Sequence, residues 1–233
     1  MRTGSDEATE EMTGDIGSSD APEAHEGGRA SWGLGRFLAL GAALLWLGFG
    51  IGYFVANAGS VPDENSADVG YLQDMITHHE QALTMAQYGL ANGQSTEVMT
   101  FAREILLFQS YEIGLMENKL NSWGYSRQNR PETAMAWMGM GMPVESMPGL
   151  ATDEQIDALA TAEGLESDVM FLELMAAHHR GGADMGLAAA DRADDQWVVD
   201  LSRRQARNQI IEINEFILAG ERAGLPIAIE PYS

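Results

Sequence analysis

One stretch of this chain occurs twice. The first copy reads Asp68-Val-Gly-Tyr71-Leu72-Gln-Asp-Met75-Ile-Thr-His78-His79-Glu-Gln-Ala82-Leu-Thr-Met85, and the second Asp168-Val-Met-Phe171-Leu172-Glu-Leu-Met175-Ala-Ala-His178-His179-Arg-Gly-Gly182-Ala-Asp-Met185. Both follow Asp-x-x-aromatic-Leu-x-x-Met-x-x-His-His-x-x-small-x-x-Met, with an offset of 100 positions. The likeness continues downstream. Gln109, Glu112, Ile113 and Gly124 match Gln209, Glu212, Ile213 and Gly224, whereas Ile105 matches Gln205 poorly. A duplicated unit of this kind, one helix bearing a histidine doublet, a short loop and one helix bearing Gln-x-x-Glu-Ile, predicts two similar helical hairpins packed together: an all-α four-helix bundle.

The apolar periodicity gives the boundaries. A first helix is expected over about 67–91, with Tyr71, Leu72, Met75, His78, His79, Ala82 and Met85 on its core side. A second is expected over about 95–122, where Gln109 and Glu112 interrupt an apolar seam of Val98, Phe101, Ile105, Met116 and Leu120. The second hairpin should occupy about 166–190 and 194–222, ended by Gly224 and Pro226. A short helix over 152–162 opens with a Thr-Asp-Glu capping signal. Antiparallel pairing then brings Glu112 to the level of His78/His79, and Glu212 to that of His178/His179. A buried carboxylate is costly unless it is paired, so each glutamate either fixes helix register through a buried pair or orients a histidine that holds a metal.

Four of the five histidines lie in the two doublets. A single histidine on an apolar face is usually a satisfied core residue; two doublets at matching places point further, to a metal or redox site. There is no cysteine, so disulfides, thiolate sites and a blue-copper centre are excluded, and the methionines supply the only soft donors. Imidazole with thioether suits copper. Carboxylate-rich di-iron sites carry Glu-x-x-His on two helices; here Met75 and Met175 stand where that glutamate would be. Nor does the chain carry a phosphate-binding glycine loop, a His-Glu-x-x-His zinc motif or an evident nucleophile–base arrangement, so an enzyme is not the favoured reading.

The rest of the chain divides as follows. Residues 1–35 read as a disordered acidic tail, in which His25 is incidental. Residues 36–58 form an apolar helix whose nineteen uncharged positions, 37–55, span roughly 28 Å, about the thickness of a bilayer's hydrocarbon core. Arg29 and Arg36 precede it and Asp63, Glu64 and Asp68 follow, which places the N-terminus in the cytoplasm and the helical domain outside. Retention as a single-pass membrane anchor is the reading adopted; the small-x-small triplet Ala56-Asn57-Ala58 leaves a cleaved signal peptide as the alternative. A linker at 59–66 leads into the bundle at 67–225, and a methionine-rich connector occupies 123–150. Met138, Met140, Met142 and Met147 lie there among glycines and are further candidate soft donors on a surface segment, with gap-filling as the plainer explanation. The net charge of −22 argues against nucleic acid and favours attraction of cations. Self-association is left open.

The two Met-x-x-His-His-x-x-small-x-x-Met segments, the two Gln-x-x-Glu-Ile segments and the Met-Pro-Gly-Leu turn at 147–150 together resemble the bacterial domain-of-unknown-function family 305, also called CopM-like. The resemblance spans about 65–225. It implies a ferritin-like four-helix bundle and, for some members, copper binding outside the cytoplasmic membrane. It would carry a copper role onto Met75, His78, His79, Met85, Met175, His178, His179 and Met185, with Gln109, Glu112, Gln209 and Glu212 in support. Gly182 departs from the alanine usual in the family, which bears on helix packing. The expectation is thus a membrane-anchored, extracytoplasmic copper-capturing bundle. The alternative is a structural or interaction bundle whose histidines and glutamates form a metal-free hydrogen-bond network.

Overall fold

The computed structural model describes residues 32–57, 61–126 and 133–233. The expected acidic tail lies outside the described residues except for its last four positions, which are helical. The chain divides into two units, Met1–Ala58 and Gly59–Ser233. In the first, α1 (Trp32–Asn57) begins four residues before the expected start at 36. Its segment Gly35–Tyr53 is long and apolar enough to cross a membrane, and its large apolar side chains are exposed.

The second unit is the four-helix bundle. Helices α2 (Ala67–Asn92) and α3 (Thr96–Ser122) form one hairpin, and α5 (Leu165–Arg192) and α6 (Gln196–Ala223) the other; α4 (Asp153–Thr161) lies between them in sequence. The helices start where the sequence offers side-chain oxygens for the unpaired first-turn amides. Ser66 caps α2, Ser95 caps α3, Thr152 and Gln155 form a reciprocal capping box on α4, and Asp195 caps α6. Gly224, at φ 65°, ends α6 in a left-handed conformation that costs a glycine least.

The first residue of the repeated motif clasps one hairpin to the other. Buried Asp168, in the first turn of α5, accepts hydrogen bonds from the backbone amides of Gln94 and Ser95, at the turn between α2 and α3. Asp68, in the first turn of α2, accepts from those of Asp194 and Asp195, between α5 and α6. Each buried carboxylate thus satisfies backbone donors at the start of a helix, where the helix dipole favours negative charge.

The connector after α3 is more ordered than the sequence suggests. Strands β1 (Thr133–Ala134) and β2 (Met142–Pro143) pair antiparallel, and short 3-10 turns form at Ala136–Met138 and Val144–Ser146. Asp74 of α2 anchors this segment: its Oδ2 accepts from the Met135 amide and from Trp137 Nε1, both at 2.8 Å. Trp137 packs edge-on against Tyr71 and fills the space left by Gly70, where a Cβ would lie 2.5 Å from the indole.

The bundle core is split in two. One apolar cluster gathers Tyr71, Leu72, Met75, Met116, Met185 and Leu201. The other gathers Met85, Ile105, Phe171, Leu172, Met175 and Phe216. Between the two sets, at the middle of all four helices, the sequence places the histidines, the glutamates and the glutamines.

Candidate metal centre

His78, His79, His178 and His179 are all buried. A helix turns about 100° per residue, so the two members of a doublet face different neighbours. His78 of α2 meets His178 of α5: the rings are tilted by 35° with centroids 3.7 Å apart. His178 Nε2 donates to the backbone carbonyl of His78 at 2.9 Å. The second members face the outer helices. His79 Nε2 donates to Glu112 Oε2 of α3 at 2.7 Å, and His179 Nε2 donates to Glu212 Oε2 of α6 at 2.5 Å. The two hairpins therefore repeat one contact, and each glutamate serves the second histidine of its own doublet.

Electrostatics keep the central pair neutral. Burial pushes His78 and His178 well below the ordinary imidazole range, and the neighbouring histidines push in the same direction; the Pro148 carbonyl acts the other way on His78, and the His78 carbonyl does so on His178. For Glu112, burial would raise the carboxyl, but the hydrogen bond and charge of His79, the Gln205 amide and the charge of Arg204 outweigh it and hold Glu112 below the usual carboxylate value.

Among the described residues, three ring nitrogens in this layer make hydrogen bonds and five make none of ordinary geometry: both of His78, on which only the Pro148 carbonyl acts, and the Nδ1 atoms of His79, His178 and His179. Buried polar atoms without partners are uncommon, and each costs on the order of 1–3 kcal/mol. In neutral His178 the proton is on Nε2, which leaves a lone pair on Nδ1. The layer thus holds nitrogen donors that the protein itself does not use. They do not form a ready cage: among the described residues, no three His, Cys, Asp or Glu side chains converge as metal ligands.

The methionines of the motif flank this layer. Met75 and Met185 are buried in one cluster, Met85 and Met175 in the other. The connector methionines divide. Met147 is buried at 2% exposure rather than lying on the surface, because the Met147-Pro148-Gly149 turn packs onto α5. A Cβ on Gly149 would approach the His178 carbonyl to 2.7 Å, and one on Gly181 would approach the Pro148 carbonyl to 2.1 Å. Met138 and Met142 rest half-buried against the first cluster, and Met140 is exposed. The connector therefore buries Met147 in the first cluster and keeps the rest of its methionines in packing or in solvent.

The residue where the repeat fails has a role of its own. Gln205 stands where the first hairpin has Ile105. Its Oε1 accepts from the Tyr71 hydroxyl at 2.6 Å, and its Nε2 donates to Glu112 Oε2 at 3.0 Å. At the matching place in the other half, Phe171 and Ile105 are apolar, and Phe216 packs against the His179 ring at 5.4 Å. Among the described residues, Glu112 is held by two donors and Glu212 by one. The mismatch at 105/205, paired with Tyr against Phe at 71/171, was the sequence signal for this difference.

Gln109, Glu112, Gln209 and Glu212 share one cleft between α3 and α6, about 260 Å³ in volume, which His79, Gln205, Phe108 and Tyr111 also line. Gln109 and Gln209 are buried, and among the described residues Gln109 Oε1 and both amide atoms of Gln209 lack hydrogen-bond partners.

A profile for a domain of unknown function, DUF305, matches residues 68–217, which spans both hairpins and the connector. The chain belongs to the DUF305 family. Two solved DUF305 structures share its fold. One, from Streptomyces coelicolor, is 30% identical with a TM-score of 0.66, covering 72% of this chain and all of its own. The other, a fragment from Deinococcus radiodurans, is 28% identical with a TM-score of 0.57, covering 66% of this chain and 96% of its own. The Cu(II)-bound form of CopM has the same DUF305-type fold at 24% identity and a TM-score of 0.50, over 66% of this chain and 96% of its own. Curated proteins yield no match.

Proposed function

We propose that this DUF305 domain takes up copper ions outside the cytoplasmic membrane, with the histidine layer and the adjoining thioethers as donors. The observation that carries this reading is the set of five buried ring nitrogens without partners in one layer. Copper suits that set: neutral imidazole and thioether are the donors it favours, and the chain has no thiolate to compete. His78 and His178 would hold the ion, and Met147, Met75, Met85, Met175 and Met185 are the thioethers available around them. Glu112 and Glu212 would orient His79 and His179 by accepting their Nε2 protons, as carboxylates do behind ligand histidines. CopM has been solved with copper and with silver bound; at this identity the likeness supplies the fold, and the copper reading rests on the donor set. X-ray absorption of the copper-loaded protein tests it: the reading expects nitrogen and sulfur scatterers together, and a shell of oxygen alone would refute it.

We further read α1 as the anchor that holds the domain at the outer face of the membrane. Its apolar span and the flanking charges support this. Resistance of the full-length chain to alkaline extraction from membranes would fit the anchor; release into the soluble fraction would favour a cleaved leader.

One observation favours a second reading. The His79–Glu112 and His179–Glu212 pairs are complete without any metal, as a structural network would be. In that case replacing the histidines would lower the metal-free melting temperature, and copper would not raise that of the native chain.

A further inference from the structure

We infer that the cleft between α3 and α6 is a separate site for a hard divalent cation, built from the carboxylates of Glu112 and Glu212 and the side-chain amides of Gln109 and Gln209. The copper reading concerns the nitrogen and sulfur donors of the histidine layer; this inference concerns oxygen donors and stands without it.

Geometry and chemistry both support the site. The four residues recur at the same spacing on two helices, and residues three apart share one helix face. All four line one cleft of about 260 Å³. Glu112 and Glu212 engage their histidines through Oε2, and among the described residues no hydrogen bond takes Oε1 of either. With side-chain exposures of 21% and 30%, the carboxylates face the cleft while remaining tied to the core. The two glutamines are the independent sign of a ligand. They are 5% and 4% exposed, yet among the described residues Gln109 Oε1 and both amide atoms of Gln209 have no hydrogen-bond partner. The Gln209 amide fills the space left by the missing side chain of Gly182 on α5, where a Cβ would lie 2.1 Å from Oε1. Two carboxylates, amide oxygens and water match what magnesium- or manganese-like ions take. No thioether lines the cleft, so it offers nothing that favours Cu(I).

The test is Mn2+ titration of the full-length protein in detergent micelles, following loss of the free Mn2+ signal by electron paramagnetic resonance. One Mn2+ per chain is expected, weakened at least tenfold by Glu112→Gln and by Glu212→Gln. A surface control, Asp153→Asn with Glu154→Gln on α4, and His178→Asn, which alters no residue lining the cleft, should leave binding within twofold. Should Glu112→Gln not fold, Glu212→Gln carries the test. Absence of Mn2+ binding, or binding that the cleft variants and the surface control change equally, overturns the inference. Cu(I) uptake by the native protein, measured alongside, succeeds or fails independently, because it reports on the histidine layer.

Discussion

His78 and His178 stack ring against ring, with centroids 3.7 Å apart. They come from equivalent places in two copies of one motif, so the pair lies where the two hairpins meet. Both rings are buried, both are held neutral by that burial, and among the described residues three of their four nitrogens make no hydrogen bond of ordinary geometry.

The metal-free protein should therefore lose stability in mild acid. The folded-state pKa of each ring lies below the ordinary 6.5. The unfolded chain takes up protons first, so this stability is fully present above about pH 6.5 and is lost as pH falls toward the lower folded value. The slope approaches about 1.4 kcal/mol per histidine per pH unit. Urea unfolding at pH 7.5 and 5.5 should show the difference, and it should shrink in His178→Asn. A flat profile would contradict neutral burial.

Two adjacent glycines in α5 should respond differently to alanine. At Gly181 a Cβ would sit 2.1 Å from the Pro148 carbonyl oxygen and 2.4 Å from its carbon, both backbone. Gly181→Ala should displace the turn that carries Met147 and cost about 1–3 kcal/mol. At Gly182 the obstacle is the end of the Gln209 side chain, which can swing, and alanine favours the helix by up to about 1 kcal/mol. Gly182→Ala should be near neutral or stabilising. Thermal melts of the two variants check this, and equal destabilisation would count against the packing described.

Much of this was legible in the sequence, and the reason is the repeat. It gave two hairpins, and with helical periodicity it set Glu112 and Glu212 opposite the histidines. Three things were not legible. The crossing of α2 and α5 decides that the first histidines of the doublets meet each other, and no pattern within one helix encodes it. The burial of Met147 depends on close backbone approach at Gly149 and Gly181, which looked like loop composition in the sequence. Asp68 and Asp168 read as first-turn acids, but their partners lie in the opposite hairpin, 126 and 74 positions away.

Those aspartates give a stability prediction. Asp168→Ala should leave the backbone amides of Gln94 and Ser95 without their carboxylate acceptor, and Asp68→Ala those of Asp194 and Asp195. Each should cost about 1.5–3 kcal/mol, the range for hydrogen bonds to a charged group. Denaturant unfolding measures it; a loss below about 0.5 kcal/mol would mean that the clasp between hairpins carries little of the fold.

Tyr71 and Gln205 should behave as a coupled pair. Tyr71→Phe alone leaves Gln205 Oε1 buried without a donor and should cost about 1–3 kcal/mol. Tyr71→Phe with Gln205→Ile copies the apolar residues of the other half, Phe171 and Ile105, and should cost less than the sum of the single changes. A double-mutant cycle that came out additive would refute the coupling.

The most direct measurement is Cu(I) titration of the full-length protein against a competing chelator, beside His78→Asn/His178→Asn. The account predicts tight, saturable binding in the native chain, weakened at least tenfold in the double variant while its helical content is kept. Binding no tighter than that of an unrelated acidic protein, or unchanged in the double variant, would contradict it and leave the histidine layer a structural feature of the DUF305 bundle.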